Sequence, residues 1–158
     1  SGLIEKAPQT LVYNKLSRSF SVRLEGYSGL NFDVSYSLGG APLDNPKSAG
    51  TYDVTISRAE DDLYKKVENV TSQLIITKAD MALLEEPSVE GNTVTAELTQ
   101  DFAGAIWNPS EQRSALRAAT GSEISGSLKE NAVNRLRFMP LDSKNYNPVD
   151  YSILRGSV

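Results

Sequence analysis

Leu30, Phe32, Val34, Tyr36 and Leu38 alternate with Asn31, Asp33, Ser35 and Ser37. A period of two places one set on a buried face and the other in water, so this run predicts a strand. Residues 51–57 repeat the pattern: Tyr52, Val54 and Ile56 alternate with Asp53, Thr55 and Ser57. Gly50 breaks the chain before that strand, and Glu60-Asp61-Asp62 turns it afterwards. Shorter strands are predicted around Leu11 and Tyr13, over Phe20, Val22 and Leu24, and up to Leu74-Ile75-Ile76-Thr77. Gly39-Gly40, Pro42 and Asp44-Asn45-Pro46 read as a loop.

The second half alternates less cleanly. Val94, Ala96 and Leu98 interleave with Thr93, Thr95 and Glu97, and residues 102–107 form an apolar run broken by Gly104. Residues 110–119 set Leu116 among Ala and Arg, between Pro109 and Gly121, and predict the one helical turn of the chain. Leu136 and Phe138 mark a further strand, and residues 149–154 a last one. Two features recur. A strand, an acidic or polar turn and a Tyr appear at 51–64 and again at 133–146, ending in Tyr64 and Tyr146. Ile4-Glu5-Lys6-Ala7 is echoed by Ile76-Thr77-Lys78-Ala79, 72 positions later. Short strands separated by turns, in two copies, predict an all-β chain of two tandem β-sandwich domains. The boundary falls near Asp80: residues 1–79, of which 1–7 link to a preceding module, and residues 80–158. The chain opens Ser1-Gly2-Leu3-Ile4 with no Met and no signal peptide, as expected of a fragment or a processed chain.

Composition removes several chemistries. There is no His and no Cys, hence no imidazole base, no thiolate nucleophile, no disulfide and no Cys/His zinc site. The net charge is −4, with nine basic and nine acidic side chains in residues 1–78 and seven and eleven in 79–158. No dense Lys/Arg cluster exists, which argues against nucleic acid as a partner. No apolar run approaches the roughly 20 residues of a membrane helix, so membrane insertion is not expected.

Residues 8–79 resemble the MBG-type bacterial immunoglobulin-like domains. The likeness lies in Gln9-Thr10-Leu11-Val12-Tyr13-Asn14, Phe20-Ser21-Val22, Ser48-Ala49-Gly50-Thr51-Tyr52-Asp53-Val54, the turn from Asp61 to Tyr64, and Leu74-Ile75-Ile76-Thr77-Lys78-Ala79. Residues 80–158 are similar to a divergent bacterial Ig-like module, chiefly through Phe138-Met139-Pro140-Leu141-Asp142-Ser143-Lys144-Asn145-Tyr146-Asn147-Pro148-Val149. The resemblance implies two tandem immunoglobulin-like β-sandwiches in a larger bacterial protein, secreted or on the cell surface. It implies a non-enzymatic spacer or adhesive module, with neighbouring Ig-like modules as partners, and neither cofactor nor catalytic residue. The alternative is an accessory module that binds carbohydrate or a host surface protein.

Each candidate site has a structural reading beside it. Tyr64 and Tyr146 follow polar turns, where a buried ring with its hydroxyl bonded to backbone would make a tyrosine corner; exposed rings would make a sugar platform. Glu60, Asp61 and Asp62 offer hard oxygens for Ca²⁺, but three adjacent residues do not all point inward, and a solvated turn is the expectation. Trp107, the only Trp, is the candidate ligand-contact residue if exposed and a core residue if buried. Glu85, Glu86, Glu90 and Glu97 supply carboxylates, with no spacing that selects an acid–base pair. The segments 39–48 and 107–119 are the loops expected to carry any binding surface. The expectation is therefore no enzyme, no metal and no cofactor.

Overall fold

A computed structural model of the chain describes residues 4–24, 30–81, 83–98, 102–108, 111–118 and 123–155, with backbone alone for 83–87, 96–98, 102–108, 111–118, 123–127 and 155. The chain divides into two compact units, Ser1–Lys78 and Ala79–Val158.

The first unit is built on five strands: β1 (Gln9–Val12), β2 (Asp33–Leu38), β3 (Ala41–Leu43), β4 (Gly50–Arg58) and β5 (Val67–Thr77). Their order in the sheet is β1-β5-β4-β2-β3, with β1 parallel to β5 and every other pair antiparallel. Gly39 and Gly40 join β2 to β3 as a two-residue turn between the partners Leu38 and Ala41, and both have positive φ. That is the backbone a tight type I′ hairpin needs, and glycine adopts it without a Cβ penalty. The alternating residues behave as their period demands. Val54, Ile56 and Leu74 are fully buried, joined by Tyr36, Tyr52, Ile76 and Phe20. Phe32 and Val34, expected in the core, pack against it half-buried.

The strand expected over Phe20, Val22 and Leu24 does not form as a paired ladder. Only Leu24 is bridged, to Ile4. Phe20 is instead pinned by its N–H, which donates to the Tyr36 hydroxyl at 2.8 Å. Ser21 meets β1 through a side chain: the Gln9 amide donates to the Ser21 carbonyl at 2.7 Å and accepts from the Ser21 N–H at 2.8 Å. A carboxamide carries the same donor and acceptor as a peptide unit. It fills the place of one, so the two segments run side by side too far apart for direct pairing.

The second unit contains β6 (Ala79–Asp80), β7 (Leu83–Glu90), β8 (Thr93–Leu98), β9 (Phe102–Asn108), β10 (Glu111–Ala118), β11 (Glu123–Ser127), β12 (Ala132–Pro140), β13 (Tyr146–Asn147) and β14 (Val149–Arg155). They form a four-stranded sheet β10-β9-β12-β14, a three-stranded sheet β11-β8-β7, and the parallel pair β13-β6. Buried side chains come from both larger sheets, Val94 from β8 and Leu136 and Phe138 from β12, with Met81, Leu128 and Tyr146. The helical turn expected at 110–119 is overturned. Residues 111–118 of that run are β10, paired antiparallel with β9 from Glu111↔Asn108 to Ala118↔Ala103, with a register shift between Glu111 and Ala115, and 110 and 119 lie outside the described residues. Local helix preference is worth only tenths of a kcal/mol per residue, and a ladder on a neighbouring strand outweighs it.

The two units share one plan. Strands β3-β2-β4-β5 and β10-β9-β12-β14 have the same order, and in each unit a short first strand lies parallel to a strand near the unit's end, β1 on the last strand β5 and β6 on β13, which directly precedes β14. Read in chain order, the four-stranded sheet has the order of the G-F-C-C′ strands of an immunoglobulin-like sandwich, and β11-β8-β7 takes the place of its opposite sheet. The fold is all-β, an immunoglobulin-like sandwich. No helix of the described residues is long and apolar enough to cross a membrane.

Candidate functional site

The tyrosine corner is Tyr52. Its ring is 2% exposed at the start of β4, and its hydroxyl donates to the Ser48 carbonyl, four residues upstream, at 2.6 Å. Burial pushes its pKa above the usual value, against a smaller lowering by the backbone of Lys47. Two residues on, fully buried Val54 stands where antibody domains carry a core cysteine. The expectation for Tyr64 is thereby corrected. Tyr64 lies beyond the end of β4, 36% exposed, with the Arg58 guanidinium 5.4 Å from its ring centroid. Tyr146 is buried on β13.

At the matching place in the second unit, two residues before Leu136, stands Asn134, fully buried. Its carbonyl oxygen accepts from the Lys129 N–H at 2.8 Å, and its amide donates to the carbonyls of Lys129 at 2.9 Å and Ala132 at 3.3 Å. The amide holds the turn before β12 as the Tyr52 hydroxyl holds the turn before β4. A polar residue sharing the parity of Leu136 and Phe138 was the available signal, and sequence reasoning passed over it.

The acidic turn is occupied by its own chain. The Asp61 carboxylate accepts from the N–H groups of Leu63 at 2.9 Å and Tyr64 at 2.8 Å and is paired with Arg58. The Arg58 hydrogen bond first, then those two N–H groups, hold its pKa below the carboxylate range. Among the described residues, no group of three or more His, Cys, Asp or Glu could hold a metal ion.

Trp107 lies on β9 opposite Arg135 of β12, and its side chain is outside the described residues. The segment 107–119 is largely the β9–β10 ladder, so it is not a free loop, and part of 39–48 is β3. Glu97 of β8 stands opposite both Glu85 of β7 and Glu123 of β11 in register, again with side chains outside the described residues.

Among the described residues of the first unit, two open grooves stand out. One, of about 320 Å³, follows Asp53, Thr55, Thr71 and Gln73 on the polar face of β4 and β5. The other, of about 460 Å³, lies along β1 and residues 17–23, lined by Gln9, Thr10, Arg18, Ser19, Ser21 and Arg23 among others. Here the chain doubles back through Lys15, whose φ is +70°, while the Asn14 side chain accepts from the Leu16 N–H at 3.0 Å. At one end of the groove Gln9 grips Ser21; at the other the Arg18 guanidinium donates to the Val12 carbonyl at 2.8 Å.

No family model matches the chain, and no curated protein does. A solved structure of the fibronectin(III)-like modules of Clostridium thermocellum CbhA aligns with 99% of this chain and 95% of its own, at 11% identity and a TM-score of 0.30. The immunoglobulin-like assignment stands on strand order and the buried Tyr52 corner.

Proposed function

We propose that the chain is a pair of tandem bacterial immunoglobulin-like modules, residues 1–79 of MBG type and 80–158 a divergent relative. They would act as a non-enzymatic spacer or adhesive segment of a larger secreted or cell-surface protein, with adjacent modules as partners. The observation that supports this best is the repeated plan: the same four-strand order and the same parallel first strand in both units. A fold alone does not name a function, so the reading leans also on chemistry. The two described groups with resolved pKa shifts, Tyr52 and Asp61, are both engaged in holding turns. Neither lines the two grooves above.

Pulling the chain by its termini tests the spacer role. Two separate unfolding events are expected, each releasing about 25 nm, from about 3.3–3.6 Å per extended residue. A panel of glycosidase, protease and esterase substrates should show no turnover. One cooperative event of about twice that length, or turnover removed by replacing one carboxylate, would refute the proposal.

A further inference from the structure

The groove along β1 has the construction of a binding slot. Gln9 with Ser21 and Val12 with Arg18 fit one antiparallel hairpin register, yet each rung is made by a side chain reaching across. The hairpin is therefore held open, and hydroxyls of Thr10, Ser19 and Ser21 line the gap. Two guanidinium groups and no carboxylate line it as well. Arg18 is anchored by one N–H on the Val12 carbonyl, which leaves its remaining donors for another acceptor. Arg23 is exposed and has no ion pair among the described residues.

We propose that this slot binds a carboxylate-bearing sugar, a uronic acid unit or its like. A guanidinium takes a carboxylate through paired N–H donors, a geometry that neutral sugars do not satisfy. Hydroxyl groups both donate and accept, which suits the hydroxyls of a sugar ring. The volume falls within the range of small-molecule clefts, and the polar lining selects a hydrophilic occupant. The proposal goes beyond the spacer reading and does not rest on it: a spacer with an idle slot is still a spacer.

The test uses the whole chain, labelled with ¹⁵N and titrated with glucuronate, glucose and acetate at constant ionic strength. Saturable shifts are expected at the amides of Thr10, Ser19 and Ser21 with glucuronate, and at least about tenfold weaker binding of glucose and acetate. Arg23→Gln should weaken glucuronate about tenfold while leaving the unfolding midpoint in place, since that side chain is exposed. Arg18→Gln should weaken it too, with a lower midpoint because the Val12 rung is lost. The proposal is overturned by linear, unsaturable shifts, by equal affinity for glucose or acetate, by shifts confined to other residues, or by unchanged binding in Arg23→Gln.

Discussion

Removing the Tyr52 hydroxyl separates the two tyrosine assignments. Tyr52→Phe keeps the buried ring, so the apolar burial of the core is nearly unchanged. What is lost is one hydrogen bond of 2.6 Å to the Ser48 carbonyl. The net worth of such a bond, with the added cost of an acceptor left wanting, is about 1–2 kcal/mol. For a unit of this size each kcal/mol moves the melting midpoint by about 4–8 °C, so a fall of about 4–16 °C is expected. Tyr64→Phe leaves the ring beneath the Arg58 guanidinium at the surface and should stay within about 0.5 kcal/mol of the parent. Urea unfolding followed on the amide signals of β4 and β5 reads the first unit directly. A pH series adds a second signature. Because the folded-state pKa of Tyr52 is raised, its contribution is fully present below the ordinary value of 10.0 and declines as pH climbs through the higher folded value. Tyr52→Phe should lack that alkaline decline. The corner assignment fails if Tyr52→Phe costs less than about 0.5 kcal/mol, or if Tyr64→Phe costs as much.

Further outcomes follow from burial and pairing. Asn134→Ala should destabilise the second unit by about 1–3 kcal/mol, because the Lys129 N–H and carbonyl lose their partner; denaturant midpoints check it. Phe138→Ala, at a fully buried position, should cost about 3–5 kcal/mol, and Phe32→Ala, half-buried, distinctly less; equal losses would place Phe32 in the core after all. Asp61 contributes stability that is fully present above the ordinary carboxylate pKa and is lost as pH falls through its lowered folded value. Asp61→Asn should therefore flatten the acid limb of a midpoint-against-pH curve, and an unchanged limb would refute the turn's role.

What was legible in the sequence was the alternation. Residues 30–38 and 51–57 read as strands because one face of each is buried and the other is wet; β2 occupies only 33–38 of the first run, and β4 extends the second by one residue at each end. Residues 110–119 misled because Ala, Leu, Glu and Arg favour helix locally while the partner that makes 111–118 β10 lies on β9, with a register shift that blurs any period of two. Tyr64 misled for a related reason. Asp61 and Tyr64, and Asp142 and Tyr146, do each close a turn, but the Tyr64 N–H donates to the Asp61 carboxylate and the Tyr146 N–H to the Asp142 backbone carbonyl. The corner, however, stands one turn earlier, at the entrance to β4, where Ser48 waits four residues back. A hydroxyl bonding to local backbone leaves no trace in hydrophobic periodicity.

The groove and the Asn134 corner escaped the sequence for one shared physical reason. In several places a carboxamide side chain performs what a peptide unit would do. Gln9 stands between β1 and Ser21, Asn134 closes the turn before β12, and Asn14 holds the reversal at Lys15. Each supplies a donor or acceptor at a spot where the backbone of a regular ladder or turn would supply its own. A Gln on a strand facing another strand predicts nothing by pattern alone, because the same residue at the same period could point into water. Only the register, Gln9 with Ser21 and Val12 with Arg18, shows that the hairpin is propped open by side chains. A propped hairpin keeps some strand-edge groups free for a partner, whereas a zipped one consumes them. Gln9→Ala should therefore cost residues 17–23 their protection from hydrogen exchange while β4 and β5 keep theirs. If the gap instead closes into a true ladder, protection at 17–23 rises, and the slot proposed there loses its structural basis.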